Sequence, residues 1–271
     1  MTGAMPAFDS ACPSRFSPEL PTTAADGPPP TRWTDPRTAA AYALRDSAFD
    51  REVAWPALAA AVRPPEPRRA PGRPDGEVLD LGCGLGGLSH HLASEHWLRV
   101  HAVDVSPAMH RLGAQLYRDA WLVRSLPDSR GRLHLRRGQC TGAVVQLMLV
   151  HLPHARHLVA ALGGARLVLR PGAPLVAVEP GPGTYGGLAG AVQWGEPREA
   201  GRSAPEDGMP YVARYRLTDG TTLRTAAWHH TPDSIAECLW RADFRLDEMR
   251  PLAEPLAGEN ACLWLYRATA V

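Results

Sequence analysis

Apolar and polar positions fall into blocks along this chain, and the period changes from block to block. Val78, Leu79 and Leu81 make a short apolar run that ends in glycines, and Leu85, Leu88 and Leu92 follow at helical spacing. Residues 77–93 are therefore predicted to be a strand, a tight turn and a helix. Val100, Ala102 and Val103 predict a second buried strand with Asp104 at its carboxyl end. A helix over about 108–121 follows, with Ser106 as N-cap and Pro107 at its first position. Leu133 and Leu135 alternate with polar residues, predicting a third strand over 132–137. Residues 143–150 read as strand four, 158–170 as a helix stopped at Pro171, and 175–179 as strand five. Residues 211–217 and 221–228 flank Asp219-Gly220 as a β-hairpin. Thr231-Pro-Asp-Ser opens a last helix, and 244–249 and 261–267 supply strands six and seven.

Strands alternating with helices predict an α/β fold, a doubly wound, mostly parallel sheet of seven strands with helices on both faces. Residues 1–32, rich in Pro, Ala, Ser and Thr, read as a disordered leader. Residues 33–75 read as an N-terminal helical cap, two helices over 33–62, followed by a Pro/Arg/Gly linker. The main domain spans 76–271. Within it, the insertion at 181–230 begins with a long Gly/Pro-rich stretch carrying Tyr185 and Trp194, and reads as a substrate lid.

Composition removes several function classes. At 271 residues and 45% hydrophobic the chain can build a full core, and a net charge of +1 gives no electrostatic reason to expect nucleic acid. The 29 basic residues are all arginine, so Schiff-base chemistry and an ordinary P-loop are excluded. Five scattered cysteines without a CxxC pair argue against a disulfide framework or a metal site and fit a reducing cytoplasm. No run is apolar enough to span a bilayer, and no signal-peptide pattern opens the chain.

The chemistry concentrates at the glycine turn. Gly82, Gly84 and Gly86 let the backbone come close to a ligand, and the N–H groups of the next helix point into the same space. Gly82-x-Gly84-x-x-Gly87 also fits a dinucleotide fingerprint. Asp80, two residues before the first glycine, would oppose a dinucleotide's phosphates but suits a cationic amino-acid group. Asp80-x-Gly82-x-Gly84-x-Gly86 resembles motif I of the class I S-adenosylmethionine (SAM) methyltransferases. Residues 104–109 look like the second motif of that family, and His151-Leu-Pro-His154 looks like its "HHLP" ending. The segment 167–180 is similar to its "LKPGGxLxxxEP" stretch, which dinucleotide dehydrogenases do not normally share. The likeness is to the small-molecule type, in the ubiquinone/menaquinone-biosynthesis-like group.

This resemblance implies SAM as cofactor, S-adenosylhomocysteine (SAH) as product and a small-molecule acceptor. Asp80, Gly82, Cys83, Gly84 and Gly86 would hold the methionine and ribose side. Asp104 would bind the ribose hydroxyls, with Val105, Met109 and Gln139 around adenine and Gln146 and Leu147 near the methionine portion. His151 is the first candidate base and His229 or His230 the second, while Tyr42, Tyr185 and Trp194 are candidate substrate contacts. Such an enzyme would act in secondary metabolism as a monomer or homodimer. One departure stands out: family members usually place an acid soon after the third strand to bind adenine, whereas here 138–142 runs almost directly into strand four. The trimmed 138–143 segment and the missing adenine-site acid motivate a rival reading, a protein that keeps the fold and binds SAM or its product without methylating.

Overall fold

The computed structural model describes residues 31–63, 74–181, 183–189, 192–195, 205–252 and 263–271. The expected leader, apart from its last two residues, and most of the linker lie outside them. The chain opens with α1 (Pro36–Ala43), a π-helical turn (Asp50–Ala54) and α2 (Trp55–Val62). Then follow β1 (Glu77–Leu81), α3 (Gly87–His96), β2 (Arg99–Val103), α4 (Pro107–Leu116), β3 (Leu122–Ser125) and β4 (Gly142–Gln146). A 3-10 turn (Leu149–His151) leads to α5 (Ala155–Val168) and β5 (Pro174–Pro180). Next come β6 (Leu188–Ala189), β7 (Val192–Trp194), β8 (Pro210–Arg216) and β9 (Thr222–Trp228). α6 (Pro232–Arg241), β10 (Phe244–Pro251) and β11 (Leu263–Ala270) complete it.

The main sheet has seven strands in the order β10-β11-β5-β4-β1-β2-β3. β5, β4, β1, β2 and β3 run parallel, and β11 is antiparallel to both of its neighbours. Strand order reverses between β1 and β4, which opens a crevice at their carboxyl ends where ligands bind in such sheets. α1, α4 and α6 each begin with a capping side chain followed by proline: Asp35-Pro36, Ser106-Pro107 and Thr231-Pro232. Each cap accepts a first-turn N–H, and each proline occupies a position whose own N–H would be unpaired anyway.

Two apolar layers enclose the sheet. α5 and α6 pack on one face through Leu158, Leu162, Ile235 and Leu239. α2, α3 and a second sheet cover the other. This second sheet, β6-β7-β8-β9, is antiparallel and buries Trp194, Tyr211 and Tyr215 against the same core as Val144 and Val178. It is stitched to the cap. Asp46 N donates to Arg216 O, Thr218 N to Leu44 O, and Ala226 N to Thr31 Oγ1. Among the described residues no helix is long and apolar enough to cross a membrane.

The third strand departs from expectation. Residues 132–137 form no strand; Leu133 and Leu135 merely rest against the α5 layer. The actual β3 is an edge strand paired only with β2, and its four residues are mostly half-buried, so its alternation is faint. The β3–β4 connection is therefore 126–141, an ample crossover. The shortening inferred around 138–143 disappears, and with it one of the two grounds for a non-methylating protein.

Candidate active site

The carboxyl ends of β1, β2 and β4 converge on two adjoining cavities, of about 210 Å³ and about 70 Å³. Tyr42, Gly82, Gly84, Gln146 and Leu147 line both. The smaller one is polar and holds Asp80, Cys83, Gly86 and Arg45. The larger one is mainly apolar and includes Asp104, Val105 and Met109, with Trp33, Met148 and His151.

The glycine turn and Asp104 are one unit. Asp104 accepts from Gly84 N and Ser106 N, at 2.8 Å each, which fixes its carboxylate at the mouth of β2. Burial raises its pKa against these backbone donors. Gly84 has φ +55°, and a Cβ there would meet nothing nearer than the Tyr42 ring at 3.8 Å, so its bare backbone faces open cavity. Asp80 is 1% exposed and accepts from Ser89 Oγ. Burial, with Asp104 adding to it, pushes its carboxyl up to about 7 against the Ser89 hydrogen bond and the Arg124 charge. Burial likewise holds the Cys83 thiol well above its usual range, so it is not a nucleophile.

Gln146 is already committed. Its Oε1 accepts from Trp55 Nε1 at 3.0 Å, and its Nε2 donates to Asp50 Oδ1 at 2.6 Å. Asp50 in turn pairs with Arg45, whose guanidinium lies 4.7 Å from the Tyr42 ring centre. This chain of contacts fastens the helical cap to the end of β4. The π-helical turn supplies Asp50, a common use of such a turn near a site.

After β4 the backbone is forced. Leu147 has φ +52°, unusual for a branched side chain, and it lines both cavities. Glu179, at the end of β5, holds the turn that follows. Its Oε1 accepts from Met148 N and Leu149 N at 2.8 Å, and its Oε2 from Val150 N at 3.2 Å. His151 comes next. Its Nδ1 lies 3.1 Å from Ala226 O on β9, so Nδ1–H is the donor and Nε2 keeps a lone pair. Its ring centre is 4.9 Å from that of Trp33, edge to face, and Trp33 packs in the same way on Tyr42 at 5.6 Å. Burial depresses the His151 pKa to about 4. The imidazole is neutral at pH 7 and a weak base, not one matched to neutral pH.

Five expected site residues lie elsewhere. Gln139 Nε2 donates to Glu77 Oε2 at 2.8 Å, beside His101, at the amino end of β1 and the opposite edge of the sheet from the cavities. Its assignment to adenine followed from misplacing β3. Trp194 is fully buried in the second sheet, and Tyr185 packs against Tyr211 and His229. His230 is buried with Nε2 2.8 Å from Leu152 O, tying the start of α6 to the turn after β4. None of these, nor His229, lines either cavity. Conversely, Trp33, Asp50, Trp55, Met148 and Glu179 went unassigned. Only Glu179 carried a usable signal, an acid ending an otherwise apolar strand. Among the described residues no group of three or more His, Cys, Asp or Glu could hold a metal ion.

Residues 78–172 match the family model of a methyltransferase domain. The chain is 26% identical over 231 residues to the N-demethylindolmycin N-methyltransferase of Streptomyces griseus, covering 84% of this chain and 93% of that one. Its fold is similar to an S-adenosylmethionine-dependent methyltransferase from Mesorhizobium loti (TM-score 0.54, 17% identity, 82% of this chain and 100% of that). It is also similar to the Burkholderia thailandensis 1,6-didemethyltoxoflavin-N1-methyltransferase with its substrate and S-adenosylhomocysteine bound (TM-score 0.51, 18% identity, 92% and 93%).

Proposed function

We propose that this chain, a class I SAM-dependent methyltransferase, methylates a small, flat acceptor of secondary metabolism at a ring nitrogen or hydroxyl oxygen. The observation that carries this reading is the aromatic wall of the larger cavity. Trp33, Tyr42 and His151 pack edge to face around one side, and His151 offers a single hydrogen-bond acceptor. A flat ring would stack there with its N–H or O–H on Nε2. The activities of the Streptomyces and Burkholderia relatives, both on nitrogen by their names, support the same class.

The residues present fit the cofactor. Asp80 is a buried carboxyl with no salt-bridge partner among the described residues, Gly84 leaves a bare backbone facing the cavity, and Asp104 is a held carboxylate at its mouth. In this reading Asp80 and the 82–86 turn hold the amino-acid end, Arg45 faces its carboxylate, and Asp104 receives the ribose hydroxyls. The cofactor supplies a methyl group on a positively charged sulfur, open to in-line attack. The protein's task is then alignment and exclusion of water. Trp33 and Tyr42 of the cap fix the acceptor's plane and close one side of the cavity, and Leu147 presents its strained backbone between the two chambers. Neutral His151 orients the attacking atom by accepting its hydrogen and takes the proton only as methyl transfer acidifies it.

Two measurements test this. Isothermal titration with SAH gives binding in the wild type and a loss of at least about tenfold in Asp104→Ala, which forfeits a pair of charge-assisted hydrogen bonds. Methyl transfer from SAM is then screened against flat heterocycles and phenols. Turnover confined to protein or nucleic-acid acceptors would overturn the small-molecule reading.

A further inference from the structure

A parallel crossover usually lays a helix on the sheet, yet residues 126–141, which join β3 to β4, contain none. Pro127, Gly131 and Leu133 on the crossover and one face of α5 instead line one lobe of the larger cavity. His157, Ala160, Ala161 and Gly164 recur on that face at helical spacing and line the lobe. Asp104, Val105 and Met109 line the same cavity.

Among the crossover and α5 residues that line this lobe, only His157 has a polar side chain. The crossover's one acid, Asp128, closes its own turn by accepting from Arg130 N at 2.8 Å and Arg132 N at 2.9 Å, and it does not line the cavity. The His157 ring makes no hydrogen bond to any described residue, and its Nδ1 is shielded from solvent. Burial, helped by Arg156 and His154, holds its pKa below 6.5, so the ring is neutral at pH 7 and one nitrogen can accept.

We propose that adenine occupies this lobe and that His157, in place of a carboxylate on the crossover, accepts a hydrogen from its 6-amino group. The proposal rests on the SAM reading above. The lobe's apolar walls suit the two faces of a purine, and one polar atom at its edge provides for the one exocyclic donor. A buried N–H without an acceptor would cost affinity.

The test is a double-mutant cycle of binding constants, read by isothermal titration without turnover. SAH and its 6-desamino analogue are each titrated into wild type, His157→Leu, His157→Ala and His157→Gln, with unfolding midpoints as the check on folding. Wild type should prefer SAH by about tenfold, the worth of one hydrogen bond. His157→Leu and His157→Ala should bind SAH about tenfold more weakly and show no preference. His157→Gln, whose amide oxygen also accepts, should recover the preference. A preference that survives in both His157→Leu and His157→Ala, or a wild type that binds the two ligands equally, overturns the assignment. A wild type that binds neither ligand overturns the cofactor reading itself, and is thereby distinguished.

Discussion

Glu179→Ala removes the side chain that ties the end of β5 to the turn leading to His151. In the folded protein that carboxyl group is 2% exposed and accepts three backbone N–H bonds. Each buried N–H stripped of its acceptor costs about 1–3 kcal/mol. Counting only the two bonds at 2.8 Å, Glu179→Ala should lose about 2–6 kcal/mol, a fall in unfolding midpoint of about 4–24 °C for a chain of this size. Glu179→Gln keeps an acceptor for those two donors and tests the charge instead. Burial pushes the wild-type carboxyl from 4.5 up to about 8, overriding the three donors. Between those values the folded state keeps a proton that the unfolded chain has released. Wild-type stability therefore falls as pH rises through this window, by at most about 1.4 kcal/mol per pH unit. Glu179→Gln lacks this term, so it should match wild type near pH 5 and exceed it by pH 9. Urea titrations followed by tryptophan fluorescence at pH 5, 7 and 9 measure both effects. A Glu179→Ala protein within about 1 kcal/mol of wild type would refute the account, because water would then serve the turn as well. So would a wild type that gains on Glu179→Gln as pH rises.

Two further substitutions probe the site. Gly82 has φ +75°, and a Cβ there would lie 2.2 Å from Met148 Cγ. Gly82→Ala should cost about 1–3 kcal/mol in urea unfolding and weaken SAH at least about tenfold; unchanged affinity would show that the turn tolerates displacement. His151, with its pKa lowered to about 4, binds a proton in the unfolded chain before it does so in the folded one. Wild type should thus lose stability as pH falls from 6.5 toward 4, and His151→Phe should lose less. His151 should also leave no step in the pH–rate profile between pH 6 and 8; a step there that His151→Phe abolishes would restore it as a conventional base.

Much of the site was written in short-range patterns. Asp80, the glycines, Asp104, Val105 and Met109 are legible because strand, turn and helix periods change within a few residues, and the sheet then aligns their ends. Tyr42, Gln146, Leu147 and His151 also line the larger cavity, although Gln146 serves the cap and not an open ligand edge. What failed was long-range. Leu133 and Leu135 imitate a strand because they touch the core from a loop, while Leu122–Ser125, an edge strand with one neighbour, has little reason to alternate. Tyr185 and Trp194 read as lid aromatics, but an aromatic in a Gly/Pro-rich insertion can equally serve the core of a small sheet, and here they pack there. The partnership of Trp55 with Gln146, or of Glu179 with three N–H groups of another segment, depends on which strands become neighbours, and no local pattern encodes that.

The stitching of the cap to the second sheet also has a consequence for synthesis. Thr31 bonds to Ala226 across 195 positions of chain, and Leu44 and Asp46 bond to Thr218 and Arg216. A nascent chain emerging from the ribosome can assemble the five parallel strands of the crevice well before these partners exist. Until residue 226 has emerged, the cap lacks these partners, and Tyr42 lacks the Tyr215 ring that packs against it. Such a late, long-range closure is slow and leaves apolar surface open to aggregation. Cofactor supplied during translation should therefore do little for the yield of folded protein, whereas holding the chain at low temperature until it is complete should raise it.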